Sequence, residues 1–158
     1  MASGRELIVQ VESAFPGLDP YMGDVTLVGR DGELDWESEW YERAYGGKSW
    51  REIDDATIRS SSTALRMMNS SARCFFLPAL LRDLIRDLGA GTSGDLEPCV
   101  SAALGEDIWD LEMNRQLDAA AEPGRACVVA VADWIRQVDP HHAIDMDRVR
   151  QVWRPATV

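Results

Sequence analysis

The chain has 158 residues, 46% of them hydrophobic and 27% charged, with a formal net charge of −11. Those proportions exclude wholesale disorder and collagen-like repeats, and the length suits one domain with a sizeable core of its own. The sign of the charge argues against a general nucleic-acid binder, which needs a basic surface, and against docking on anionic membranes.

The first predicted element is a helix over residues 4–15, where Leu7, Ile8, Val11, Ala14 and Phe15 recur at three- and four-residue spacing. Pro16-Gly17 ends it, and residues 16–33 are rich in Gly, Pro and Asp. Within that loop, Val25 to Val28 followed by Gly29-Arg30-Asp31-Gly32 is the one candidate hairpin. A helix is expected over 34–45, stopped by Gly46-Gly47, with Trp36 and Trp40 four apart on one face. Ser49 and Glu52 have capping-box spacing, which predicts a helix running on to about Arg59.

Asn69-Ser70-Ser71 is the next cap cluster, and residues 72–88 have the clearest period in the chain. Leu77, Leu80, Leu81, Leu84, Ile85 and Leu88 line one face, with Arg82, Asp83, Arg86 and Asp87 on the other. Pro78 should kink this helix or begin a new one. Short helices are expected over 100–104 and 108–117. A long helix follows with Pro123 in its first turn and a stripe of Cys127, Val128, Val131, Trp134, Ile135 and Val138. Asp139-Pro140 ends it, and a closing helix is expected with Asp145 as its cap. The fold expected is a single all-α domain over 1–158, of six to eight helices, with at most one short hairpin at 25–32.

Gly89, Gly91 and Gly94 match a dinucleotide-binding fingerprint, but a helix precedes them where that site needs a strand. The expected reading is a helix end with Gly89 as its C′ glycine, and no cofactor. Cys74, Cys99 and Cys127 form no CxxC pair, so structural zinc is not expected and reduced thiols of a cytosolic protein are. No signal-peptide core follows Met1, and the longest uncharged apolar run is the eight residues from Cys74 to Leu81. A membrane span needs about 20. The bases are 15 Arg and one Lys, a usage associated with GC-rich bacteria.

No nucleophile elbow, HExxH or recognisable catalytic cysteine is present. His141, His142 and Asp145 gather plausible ligand types, but adjacent histidines diverge on any regular element. Residues 1–55 hold 13 acids and 5 bases, residues 56–94 hold 2 and 5, and residues 95–158 hold 12 and 6. The densest acidic stretch is Asp31, Glu33, Asp35, Glu37, Glu39 and Glu42, interleaved with Trp36, Trp40 and Tyr41 and holding no base. One reading is a solvated helix whose tryptophans face the core. The other is a partner-binding patch of Asp31, Glu33, Asp35, Glu37, Glu39, Trp40 and Glu42 that captures a basic protein.

The order of ELIVQVESAF, SWREIDDATI, TALRMMNSSARCFFLPALLRDLI and ACVVAVADWIRQV resembles an uncharacterised bacterial domain family of unknown function. The residues that carry the resemblance are Trp50 and Ile53, Phe75 to Ala79, and the stripe over 127–138. It implies a small intracellular bacterial domain and transfers no catalytic residue. The function expected is that of a non-enzymatic, acidic interaction protein of the bacterial cytosol, in its narrowest form an immunity- or antitoxin-like inhibitor of a basic partner. The alternatives are a small metal-binding or hydrolytic domain built on His141 and His142, and an acidic mimic of nucleic acid.

Overall fold

A computed structural model describes residues 2–15, 17, 19–26, 36–60, 68–91 and 122–153. The expected helices at 100–104 and 108–117, and Leu27 to Asp35, lie outside these residues. The described part is all-α: α1 (Gly4–Ala14), α2 (Trp36–Tyr45), a 3₁₀ turn (Trp50–Glu52), α3 (Asp55–Ser60), α4 (Ser70–Gly89), α5 (Glu122–Val138), a second 3₁₀ turn (Pro140–His142) and α6 (Ala143–Trp153).

α1 begins with a reciprocal cap. Glu6 N–H donates to Ser3 Oγ at 3.3 Å, and Ser3 N–H donates to the Glu6 carboxylate at 2.6 Å. Leu7 and Val11 from this helix are buried against α4 and α5. α4 lies at the centre, touched by α1, α3, α5 and the first 3₁₀ turn. Asn69 caps it by accepting from Ala72 N–H at 2.9 Å. Pro78 sits inside α4, and the helix runs on through it to Gly89. The missing proline N–H removes only the bond to the Cys74 carbonyl, and the leucines on both sides hold the turn in place. The left-handed glycine after α4 is Gly91, with φ +69°, rather than Gly89. Ala90 still closes onto Arg86 in the right-handed region, which moves the reversal two residues on.

One sequence expectation changes here. The predicted helix from Ser49 to Arg59 is broken. Ser49 N–H does bond the Glu52 carboxylate at 2.6 Å, but the turn is 3₁₀ and ends at extended Ile53. Trp50 and Ile53 are both buried. Asp54 then starts α3 afresh by accepting from Thr57 N–H at 2.7 Å. On the polar face of α4, Arg82, Asp83 and Asp87 are buried beneath α3 and the 3₁₀ turn.

α6 folds back on α5. Arg150 pairs with Asp133 at 2.8 Å and Arg136 with Asp147 at 3.4 Å, an antiparallel register. The linking turn is held by Asp139, whose carboxylate accepts from His141 N–H at 3.1 Å. Asp139 thus caps the 3₁₀ turn, and since α6 begins at Ala143, Asp145 lies inside its first turn and is not its cap.

Thr26 forms an antiparallel bridge with Met68, and Asn69 N–H donates to the Val25 carbonyl at 2.8 Å. The segment ahead of α2 is thus pinned to the approach to α4. Among the described residues there is no strand, and none of the described helices is long and apolar enough to cross a membrane.

Candidate functional site

α2 carries the part of the acidic stretch that the structure describes. Ser38, Tyr41 and Tyr45 turn inward at three- and four-residue spacing. Gly47, at φ +67°, stops the helix, and Lys48 Nζ donates to the Ala44 carbonyl at 2.7 Å. Asp31, Glu33 and Asp35 lie outside the described residues.

The remaining members divide sharply. Glu39 is exposed, while Glu37 and Trp40 are half-buried. Trp36 is 79% exposed, so one of the two tryptophans expected to face the core stands in solvent. A hollow of about 250 Å³ is lined by Trp36, Glu37, Trp40, Tyr41 and Ser60, the last residue of α3. Trp40 meets Tyr41 edge-on at 5.1 Å, and Tyr41 stacks on Tyr45 at 6.2 Å. Tyr45 in turn packs against Phe76 of α4 at 5.1 Å. The inner wall of the hollow is therefore backed by rings that reach the core, and the outer wall is the free indole of Trp36.

Glu42 belongs to neither wall. Its Oε1 accepts from Val25 N–H at 2.8 Å, from Thr26 N–H at 2.9 Å and from the Thr26 hydroxyl at 3.1 Å. The partner-facing role expected from its charge does not fit a carboxylate with three internal donors. Glu42→Ala leaves two backbone N–H groups at buried Val25 and Thr26 without an acceptor, and is expected to cost about 1.5–3 kcal/mol. Glu39→Gln, at an exposed position, is expected to stay within about 0.5 kcal/mol. Urea denaturation of the two variants checks the contrast, and equal midpoints would remove Glu42 from the structural frame.

A second polar cluster lies between α3 and α4. Arg59 pairs with Asp87 at 2.8 Å, and Arg86 pairs with Asp55 at 3.0 Å. Beside them sits Asp83, fully buried, with no hydrogen-bond partner within normal geometry on either carboxylate oxygen among the described residues. Burial, reinforced by the neighbouring Asp55 and Asp87, raises its pKa to about 6, and Arg59 offsets this only in part. Arg82, also buried, donates to the Ile53 carbonyl at 2.6 Å, and its own pKa is lowered by desolvation. Nothing in the amphipathic pattern of α4 marks Asp83; the complementary Asp55 and Arg59, four apart on α3, are the only trace in the sequence.

The thiols of Cys74 and Cys127 are pushed up to about 11 by burial, which keeps them as inert thiols at neutral pH. Cys99 lies outside the described residues. His141 is exposed on its turn, and the side chains of His142 and Asp145 are not described. Among the described residues no group of three or more His, Cys, Asp or Glu is placed to hold a metal ion.

Comparison with protein-family models, curated proteins and solved structures finds no match to this chain.

Proposed function

We propose that this is a non-enzymatic, acidic interaction protein whose α2 face captures a basic protein partner. The observation that carries the reading is the exposed Trp36 beside Glu37, Glu39 and Trp40 on a chain of net charge −11. Exposed indoles next to acids combine the two features of an interface for a basic surface. An aromatic anchor supplies contact area, and a field of one sign raises the encounter rate. The narrower form is an immunity- or antitoxin-like inhibitor, for which the support is that a basic enzyme is the natural target of an acidic cover. The bacterial and cytosolic setting belongs to the same proposal: the arginine-rich, lysine-poor composition supports the first, and three scattered cysteines without a CxxC pair support the second.

Several acids elsewhere are already used as helix caps. The carboxylates of Glu6, Glu52 and Asp54 have lowered pKa values because they accept backbone N–H bonds at Ser3, Ser49 and Thr57 respectively. A mimic of nucleic acid needs its acids displayed in regular outward rows, which favours the patch reading over the mimic.

The test uses a strongly basic, arginine-rich peptide and measures its association rate against ionic strength. The wild type is expected to bind with a rate that falls steeply as salt screens the field. The double variant Glu37→Gln, Glu39→Gln is expected to associate roughly three- to tenfold more slowly at low salt, with a flatter salt slope. Equal rates and equal slopes for the two proteins would sink the proposal.

A further inference from the structure

We propose that the hollow of Trp36, Glu37, Trp40 and Tyr41 is a receptor for a single arginine side chain of the partner. The inference rests on the reading of α2 as a docking face, and adds to it the chemical group that is recognised and the atoms that recognise it.

Trp36, Glu37, Trp40 and Tyr41 follow one another at positions i, i+1, i+4 and i+5, which puts all four on one flank of the helix. The space they enclose with Ser60, about 250 Å³, suits one side chain and excludes a whole secondary element. Two indole rings and a phenol offer π faces and edges, and the faces of such rings attract a cation. Trp gives the strongest attraction of the aromatic residues, and the attraction grows as the cation loses water. Trp40 and Tyr41 are held edge-on at 89°, so the inner wall keeps its shape without a ligand.

Glu37 supplies the charge. Glu37 is a half-buried residue lining the hollow, and its side chain has no hydrogen-bond or ion-pair partner among the described residues. Glu42, by contrast, is saturated from within the chain. An unpaired carboxylate beside aromatic faces selects a cation, and among cations it selects guanidinium. That group is planar, stacks on rings, forks two N–H bonds onto a carboxylate and sheds its water more readily than an ammonium. The surrounding field agrees, because residues 1–55 hold 13 acids against 5 bases. An apolar side chain would fill the hollow equally well but would leave Glu37 desolvated and unpaired.

The experiment compares the arginine-rich peptide with its citrulline counterpart, which keeps the planar shape but carries no charge and has a carbonyl oxygen in place of one terminal NH2. Indole N–H resonances of ¹⁵N-labelled protein are followed, with Trp36→Phe and Trp40→Phe identifying the two signals. Saturable shifts of both indoles with the arginine peptide, and affinity roughly tenfold weaker for the citrulline peptide, are the expected result. Trp36→Ala and Glu37→Gln are each expected to weaken binding roughly three- to tenfold. Both residues are at the surface, and unchanged far-UV circular dichroism certifies the fold of either variant. If the arginine peptide binds while the two indoles stay still, or if citrulline binds as well, the receptor is overturned and the acidic docking face survives. If no salt-dependent binding occurs at all, both fall together.

Discussion

Trp50→Ala is expected to be the most damaging single truncation in the described core, at about 3–5 kcal/mol. The indole is 2% exposed and its N–H donates to the Phe15 carbonyl at 3.1 Å, tying the first 3₁₀ turn to the end of α1. Arg51 lies 4.4 Å above the ring and spends one terminal N–H on the Glu12 carbonyl at 2.9 Å. Removing the ring empties a large volume, leaves the Phe15 carbonyl without its donor and takes away the surface on which Arg51 rests. Native stability is only about 5–15 kcal/mol in total, so a fall in Tm of roughly 10 °C or more is expected. Trp36→Ala is the matched control, since that ring is 79% exposed. Thermal melts of the two variants decide the matter, and a loss in Trp50→Ala no larger than in Trp36→Ala would show that the turn is not anchored through its indole.

The second large effect concerns acidity. Asp83 has its pKa raised from 3.8 to about 6 in the folded chain, chiefly by burial. A raised carboxyl pKa means that the folded state holds the proton more tightly than the unfolded one. Asp83 therefore destabilises the fold fully above about pH 6, and the penalty is lifted as the pH falls towards 4. Two pK units correspond to on the order of 2–3 kcal/mol. The groups facing it are Asp55 and Arg59 from α3 and Arg82, Arg86 and Asp87 from α4. The capping acids Glu6, Glu52 and Asp54 have lowered pKa values and act in the opposite sense, losing stability as the pH drops below the ordinary carboxylate range. The two windows separate. Asp83→Asn, which is neutral throughout, is expected to gain on the wild type as the pH rises from 5 to 7.5. Groups common to both proteins cancel in that difference. Urea denaturation at the two values measures it, and a difference that stays flat with pH would show that Asp83 carries its charge comfortably.

The architecture was legible wherever a local rule and the tertiary environment agreed. The 3.6-residue period located α1, α4 and α5 almost to the residue, and the bonds of Ser49 with Glu52 and of Asn69 with Ala72 follow from residue type and spacing alone. Local rules failed where a second element covers what a lone helix would leave wet. Arg82, Asp83 and Asp87 read only as the polar side of α4 because helical periodicity shows which residues share a side, and not what docks there. Glu42 read as one more acid in a charged run. Its role depends on two backbone N–H groups 16 and 17 residues away, which no spacing rule announces. The spacing of Trp36 and Trp40 did point to a shared flank, but the same spacing fits a core stripe. Only exposure separates the two readings.

The chain has one lysine, and its Nζ already closes the C-terminal end of α2 on the Ala44 carbonyl at 2.7 Å. Among side chains, amine-directed chemistry therefore has a single target. An acyl group, a fluorophore or a crosslinker joined to Lys48 through an amide removes its positive charge and leaves a single N–H at that helix end, next to the left-handed Gly47 on which the chain reverses. Immobilisation through this amine would hold every molecule by the same corner. It would also loosen the helix whose opposite end displays Trp36. Labels meant to report on α2 belong on another element.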